Sequence, residues 1–245
     1  MERVALVTGA STGIGLAVAE RLVADGFALA FATHSESDEA RQAFERVSAR
    51  GRAHWLVGDL EDPAVPDGLV QEAVGELGRL DVLVNNAGLT SAKPALELTA
   101  DDFDRIFTVD VRAAFLLARA AVQPMREAGA GSIVNVTSVH AHVPRPGFAL
   151  YAAAKAALGM LTRGLALELA ADGIRVNAVA PGAIATERNE EAEELVDEIP
   201  LGRAGTPQEV AALVAFLAGD ESRYVTGSSY VIDGGMAQHV VPPAW

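Results

Sequence analysis

The sequence predicts an α/β fold, a doubly wound seven-stranded parallel sheet with helices on both faces, and three observations carry that prediction. Short apolar runs that read as buried strands alternate with longer stretches of helical period. Glycine-rich or polar turns follow the strands, as in Thr8-Gly9-Ala10-Ser11-Thr12-Gly13-Ile14-Gly15 and Asn85-Asn86-Ala87-Gly88. Half of the 245 residues are apolar and only 5% aromatic, with 23 Gly and 11 Pro, a balance that suits a large aliphatic core with many strand-to-helix turns.

Val4 to Val7 is the first strand, and Ile14, Val18 and Leu22 then repeat at helical spacing until Asp25-Gly26, where the glycine fits a C-terminal cap. Between strand and helix, Gly9, Gly13 and Gly15 stand where a Cβ would collide. Backbone N–H groups and the helix N-terminus can therefore approach a pyrophosphate beside Ser11, Thr12 and Ile14. A glycine-rich turn without a ligand is the alternative. Leu29 to Ala32 and Ala53 to Val57 are the second and third strands, ending in Thr33-His34-Ser35 and Gly58-Asp59-Leu60. Val82 to Val84 is the fourth, and crossovers on opposite faces put the strand-order reversal, where ligands bind, between the first and fourth strands.

Thr99-Ala100-Asp101-Asp102 caps a helical stretch that runs to about Glu127. The fifth strand, Ser132 to Val136, leaves the Ser138 hydroxyl at the C-terminal edge of the sheet. The Ala-rich run from Tyr151 to Ala170 is helical, and a spacing of four sets Tyr151 and Lys155 one turn apart on the same face. Leu158, Met160, Leu161, Leu165, Leu167 and Leu169 do not fit one stripe, so this helix is covered on both sides. Arg175 to Val179 is the sixth strand, Pro207 opens a further helix, and Tyr230-Val-Ile-Asp-Gly-Gly-Met236 closes the sheet with a seventh strand and turn. No linker, repeat or low-complexity tract divides the chain, and residues 1–245 read as one domain.

Charge and composition exclude several classes. A net charge of -14 opposes binding to nucleic acid phosphates or an anionic membrane, so a small-molecule ligand is expected. With no Cys, neither a disulfide nor a thiolate metal site is possible, and no metal is expected. The first residues enter a strand directly and no uncharged run approaches membrane-spanning length, so a cytoplasmic protein is expected.

The chemistry lies between Ser138 and Lys155. A free phenol, with a pKa of about 10, is a poor acid-base group at neutral pH, and a neighbouring ammonium favours its ionised form. By itself, Tyr-x-x-x-Lys also describes an amphipathic side chain and a solvated charge on an ordinary helix. With the Gly-x-x-x-Gly-x-Gly turn and Asn85-Asn86-Ala87-Gly88, however, the set resembles the short-chain dehydrogenase/reductase family over almost the whole chain.

That resemblance implies a Rossmann fold and hydride transfer between a nicotinamide cofactor and a secondary alcohol or ketone. Ser138, Tyr151 and Lys155 would be catalytic: Tyr151 exchanges the proton, Ser138 orients the oxygen, and Lys155 binds the nicotinamide ribose. The fourth catalytic position of the family, an Asn, falls on Asp110, which can keep a helix kink by accepting hydrogen bonds but lacks the amide donors. Asp59, beside Leu60, would accept from the adenine amino group. Asn86, Ala87 and Gly88 would wall the adenosine ribose. Pro181, Gly182, Ile184 and Thr186 match the nicotinamide-binding loop, and residues 187–201 the substrate lid. No acid stands at Thr33 to accept from a ribose 2′-hydroxyl, and His34 and Ser35 can contact a 2′-phosphate, so NADP(H) is favoured over NAD(H). His34 as a plain surface residue is the alternative, and Thr12 replaces an Arg that NADP-dependent relatives often carry.

Family members pair through the long helices as homotetramers or homodimers, and the tail to Trp245 would serve as an interface element. Two branches compete for the substrate. The loop after Ser138 and Asp233-Gly-Gly-Met236 resemble glucose 1-dehydrogenases, with His140, and less so His142, within reach of sugar hydroxyls. The other branch reduces 3-oxoacyl thioesters, but the positions that dock an acidic carrier hold Ser132 and Asp172 here, so a sugar or polyol leads. A non-catalytic NADP sensor is the remaining alternative, against which Ser138, Tyr151 and Lys155 speak.

Overall fold

A computed structural model describes residues 2–90, 92–187 and 189–238. Its strands are β1 (Val4–Thr8), β2 (Ala28–Thr33), β3 (Ala53–Val57), β4 (Val82–Asn85), β5 (Gly131–Val136), β6 (Ile174–Pro181) and β7 (Ser229–Ile232). All neighbours pair in parallel, in the order β3-β2-β1-β4-β5-β6-β7, so the order reverses between β1 and β4 as expected. In register, Leu6 lies opposite Ala30 on one side and Leu83 on the other.

Helices α1 (Gly13–Ala24), α2 (Asp38–Ser48) and α7 (Pro207–Ala218) cover one face, where Ala5, Val7, Leu29 and Phe31 meet Val18, Leu22, Val47 and Val214. Helices α3 (Val65–Leu77), α5 (Ala113–Ala128) and α6 (Ala149–Leu169) cover the other, where Val4, Leu6, Ala28 and Ala30 meet Leu69, Leu117, Met125 and Ala166. Alternate residues of one strand thus feed opposite layers, and this two-sided burial explains why the strands read as continuous apolar runs.

The stretch expected as one helix to about Glu127 is divided. A short α4 (Ala100–Phe107), closed at its start by a capping box between Thr99 and Asp102, passes through a π-helical turn at Thr108–Arg112 before α5 begins. Asp110 sits in that turn. On α6, Leu158, Thr162, Ala166 and Leu169 are buried while Met160 and Leu167 remain exposed, so the chain alone covers one side of this helix. Among the described residues, no helix is long and apolar enough to cross a membrane. The tail expected at an interface, to Trp245, lies outside the described residues beyond Gln238.

Candidate active site

The glycine turn is built by close approach. Gly9 and Gly13 have φ of +63° and +53°, a region that L side chains rarely adopt. A Cβ on Gly15 would run into the Gly9 carbonyl and the Asn86 amide. That amide donates to the carbonyls of Thr8 (2.9 Å) and Gly9 (3.1 Å), while the Thr8 hydroxyl accepts from the backbone N–H groups of Asn86 and Ala87, both at 3.1 Å. Asn86 is therefore committed to bracing the turn against the end of β4. Thr12, the N-cap of α1, makes no side-chain cap bond, and the Thr186 side chain lies close by, its Cγ2 3.3 Å from where a Cβ on Gly13 would stand. Free amide donors at a helix N-terminus, beside positions that exclude side chains, suit the pyrophosphate of a dinucleotide.

The adenosine end departs from expectation at Thr33. Its side chain is buried, donating to the Ser35 carbonyl (3.1 Å) and accepting from the Trp55 indole N–H (2.8 Å), so it is not presented to a ribose. His34 is exposed, with Nδ1 3.6 Å from Asp59 Oδ1. That same oxygen accepts from the Glu61 N–H at 2.9 Å. Ser35 is exposed on the following turn, and Leu60 packs against the apolar layer below α3. Sequence reasoning passed over Arg41, whose guanidinium lies 5.6 Å from the centre of the Trp55 ring and 3.7 Å from Glu36. Its signal was the Ser37 N-cap, which sets Arg41 in the opening turns of α2.

At the C-terminal edge of the central strands the catalytic candidates converge. Ser138 is buried just past β5, and its Oγ accepts from the His140 N–H at 3.2 Å. The hydroxyl hydrogen remains to be donated elsewhere. Tyr151 and Lys155 share a face of α6, with Lys155 Nζ 5.6 Å from the Tyr151 ring centre. Lys155 Nζ donates to the Val136 carbonyl (3.2 Å) and lies 3.0 Å from Asp110 Oδ2, whose companion Oδ1 accepts from the Leu89 N–H at 2.7 Å. The expected kink is present, but the carboxylate reaches the lysine directly. Gly88 leaves the room for it, since a Cβ there would come within 3.0 Å of Nζ and 3.1 Å of Oδ2. Burial disfavours the Lys155 charge, yet the Asp110 carboxylate and Tyr151 outweigh it and hold the ammonium's pKa above the usual lysine value.

Beside this edge lies a cleft of about 500 Å³ lined by Val139, His140, Arg145, Asp197, Glu198 and Met236, among others. The His140 ring stacks on Phe148 (5.1 Å between centres) and stands edge-on to Tyr151 (6.2 Å). His142 points instead to Ser229 Oγ, 3.3 Å from its Nε2. The loop after β6 is pinned at both ends. Gly182 accommodates Asp233 where a Cβ would lie 2.6 Å from its Cβ, and the Ile184 carbonyl accepts from the Asn189 amide at 3.1 Å. The acidic segment that follows forms a 3-10 helix over Glu190–Glu198, and it is not a purely solvated one: Ala192 and Ile199 are buried against Ala183. The Leu201 N–H donates to the Gly234 carbonyl (3.1 Å), which ties the segment's far end to the turn after β7.

Comparison with known proteins agrees with this fold. A family model described as "Enoyl-(Acyl carrier protein) reductase" matches residues 9–237. Cyclopentanol dehydrogenase of Comamonas testosteroni is 39% identical over 242 residues, covering 96% of each chain. The crystal structure of acetoin dehydrogenase from Enterobacter cloacae superposes with a TM-score of 0.92 at 44% identity, covering 99% of this chain and 98% of that one. A blue fluorescent protein from a metagenomic library, in complex with NADPH, gives a TM-score of 0.91 at 43% identity over 96% of this chain and 98% of its own. Matched by this family model and by such relatives over nearly its full length, the chain belongs to the short-chain dehydrogenase/reductase family of NAD(P)-dependent oxidoreductases.

Proposed function

We propose that the chain interconverts a small, uncharged secondary alcohol and its ketone with NADP(H), and that the preferred pair carries a second oxygen, as in a vicinal diol and its hydroxyketone. The observation that carries this reading is the convergence of Ser138, Tyr151 and the buried Lys155 beside a cleft of about 500 Å³. Such a cleft has room for a small substrate. The acetoin and cyclopentanol dehydrogenases among the relatives support it. So does the surface: Asp172, one of the places where a carrier would need a cation, is itself an acid and holds Arg126 in an ion pair at 2.7 Å. A small diol thereby takes the place of the glucose 1-dehydrogenase-like sugar or polyol expected from the sequence.

The bound nicotinamide supplies or takes the hydride. Gly9, Ser11, Thr12, Gly13, Ile14 and Gly15 hold the pyrophosphate, with Thr186 across from it, and Pro181, Gly182 and Ile184 the nicotinamide end. His34, Ser35 and Asp59 border the adenosine. In oxidation Tyr151 accepts the substrate hydroxyl's proton, and in reduction it returns one. Ser138, which accepts from the His140 N–H with one lone pair, keeps its own hydrogen free to donate to the substrate oxygen. Lys155 keeps a positive charge next to Tyr151, and Asp110 keeps that charge in place. The acidic segment of residues 187–201 acts as the lid. Exposed Met160 and Leu167 on α6 favour a homotetramer or homodimer built on the long helices, in a cytoplasmic enzyme.

The test is the absorbance of NADPH with a panel of 3-hydroxy-2-butanone, cyclopentanone, an aldonolactone and a 3-oxoacyl thioester. Fastest consumption with the hydroxyketone is expected. Faster reduction of the thioester or the lactone, or no consumption with any of them, would overturn the reading.

A further inference from the structure

The reading above leaves open how the site would tell a hydroxyketone from a plain ketone, and His140 is built for that task. Its surroundings hold the ring still: Phe148 stacks on one face at 5.1 Å, and Tyr151 stands edge-on at 6.2 Å. The ring Nδ1 lies 3.2 Å from the Val143 carbonyl oxygen. A carbonyl can only accept, so Nδ1 carries the hydrogen and donates it. In the neutral ring Nε2 is then a bare acceptor, and among the described residues no donor satisfies it. The residue lines the cleft, and its own backbone N–H donates to Ser138 Oγ at 3.2 Å, next to the group proposed above to meet the reacting oxygen.

We infer that His140 is the specificity-determining residue of this site, its Nε2 accepting a hydrogen bond from a hydroxyl on the carbon next to the one that exchanges hydride. This rests on the proposed secondary alcohol and ketone chemistry. It adds a direction to it: Ser138 donates to the reacting oxygen, whereas His140 accepts from its neighbour, so the site matches an oxygen pair of which the second bears a hydrogen. A hydroxyketone meets that pattern. A diketone, with an acceptor facing an acceptor, does not, and a plain ketone leaves Nε2 without a partner.

The measurement is the ratio of kcat/KM for 3-hydroxy-2-butanone to that for 2-butanone, with NADPH, in the full-length wild type and in His140→Phe and His140→Gln. Phe keeps the ring between Phe148 and Tyr151 but removes the acceptor, and the ratio should fall about tenfold, the scale of one hydrogen bond. Gln restores a side-chain carbonyl acceptor and should recover part of it. Because the readout is a ratio, a general disturbance of Ser138 and Tyr151 lowers both values and leaves it in place. A ratio in His140→Phe within twofold of wild type would overturn the assignment of His140 while leaving the proposed reaction standing. Failure of the wild type to reduce either ketone would instead overturn the proposed reaction, and the inference with it.

Discussion

Asp110 Oδ2 and Lys155 Nζ face each other at 3.0 Å with side chains 0% and 5% exposed, a buried ion pair in the wall of the candidate active site. Removing two charges from water costs several kcal/mol per ion, which further hydrogen bonds help to offset. Here the Leu89 N–H serves Asp110 Oδ1 and the Val136 carbonyl takes one hydrogen of the ammonium, while Oδ2 has the ion pair and no hydrogen bond among the described residues. The π-helical turn at Thr108–Arg112 sets Asp110 at this depth, and Gly88 opens the space between. The pair therefore joins a local backbone irregularity to the charge beside Tyr151.

Asp110→Asn should fold with a stability lower by about 3 kcal/mol at neutral pH, since it leaves a buried ammonium without its counter-charge. The pH dependence follows from the direction of the shift. Lys155 in the wild type is raised, so its contribution is complete below the ordinary lysine pKa and is lost as pH rises through the higher folded value. In the variant Tyr151 is left to oppose burial without the carboxylate, and deprotonation relieves the burial cost. The gap between the two proteins should narrow as pH is raised from 7 to about 10.5. Denaturant unfolding at several pH values checks this. Two effects then oppose each other at Tyr151, the lost negative charge, which favours the phenolate, and a less firmly held Lys155 cation, which disfavours it; with the first dominant, the oxidation rate of the variant should begin its alkaline rise at lower pH. A rise that is unmoved or displaced upward would make Asp110 a structural residue only.

Tyr151→Phe should reduce turnover by at least about 100-fold, the scale of a lost general acid-base group. The ring contacts with Lys155, His140 and Phe148 need no hydroxyl, so the site should keep its shape and its affinity for NADPH. Turnover within tenfold of the wild type would remove Tyr151 from the proton-transfer role, and titration calorimetry with NADPH checks the second half.

Much of this was legible in the chain because it depended on local pattern. Two-sided burial makes each strand an apolar run, and the polar residues that end the runs mark the ligand edge. Ser138, Tyr151 and Lys155 were placed by strand end and helical period alone. What escaped was set by tertiary approach. Nothing in Thr33-His34-Ser35 says that Thr33 turns inward, since the cause is Trp55, 22 residues away on the neighbouring strand. The direct contact of Asp110 with Lys155 needed the π-helical turn, which propensity read as continuous helix. The packing of the acidic stretch before Ile199 was not legible because its apolar contacts, Ala192 and Ile199 on Ala183, are too sparse to form a stripe.

Gly15→Ala tests the glycine turn. The added Cβ would meet the Gly9 carbonyl and the Asn86 amide, and neither can move without breaking the bonds from Asn86 to Thr8 and Gly9. A loss of about 1–3 kcal/mol in stability is expected from overpacking, together with weakened NADPH binding. Gly75→Ala, at a helical position with open space around its Cβ, is the control and should stabilise slightly or be neutral. Equal behaviour of the two variants would mean that the turn is not tightly packed.

Cofactor choice gives the last prediction, and the burial of Thr33 decides where to place the probe. An acid at Thr33 would sit at a position 4% exposed, held between Trp55 and the Ser35 carbonyl, so Thr33→Asp should lower stability rather than report on the ribose. His34 is the better site, because its side chain is 74% exposed and its Nδ1 is 3.6 Å from Asp59 Oδ1. With NADPH bound, a 2′-phosphate at this strand end would meet a hydrogen-bonding imidazole that also separates it from the Asp59 carboxylate. His34→Asp removes the donor and sets two carboxylates side by side, which repels the phosphate but can accept from the 2′-hydroxyl of NADH. The ratio of NADH to NADPH affinity, measured by calorimetry, should therefore rise by about tenfold, the scale of one charge-assisted hydrogen bond. A wild type that already binds NADH more tightly would overturn the NADP(H) reading, and a variant whose ratio is unchanged would show that the 2′-position is read by another group, for which Arg41 above Trp55 is the next to be replaced.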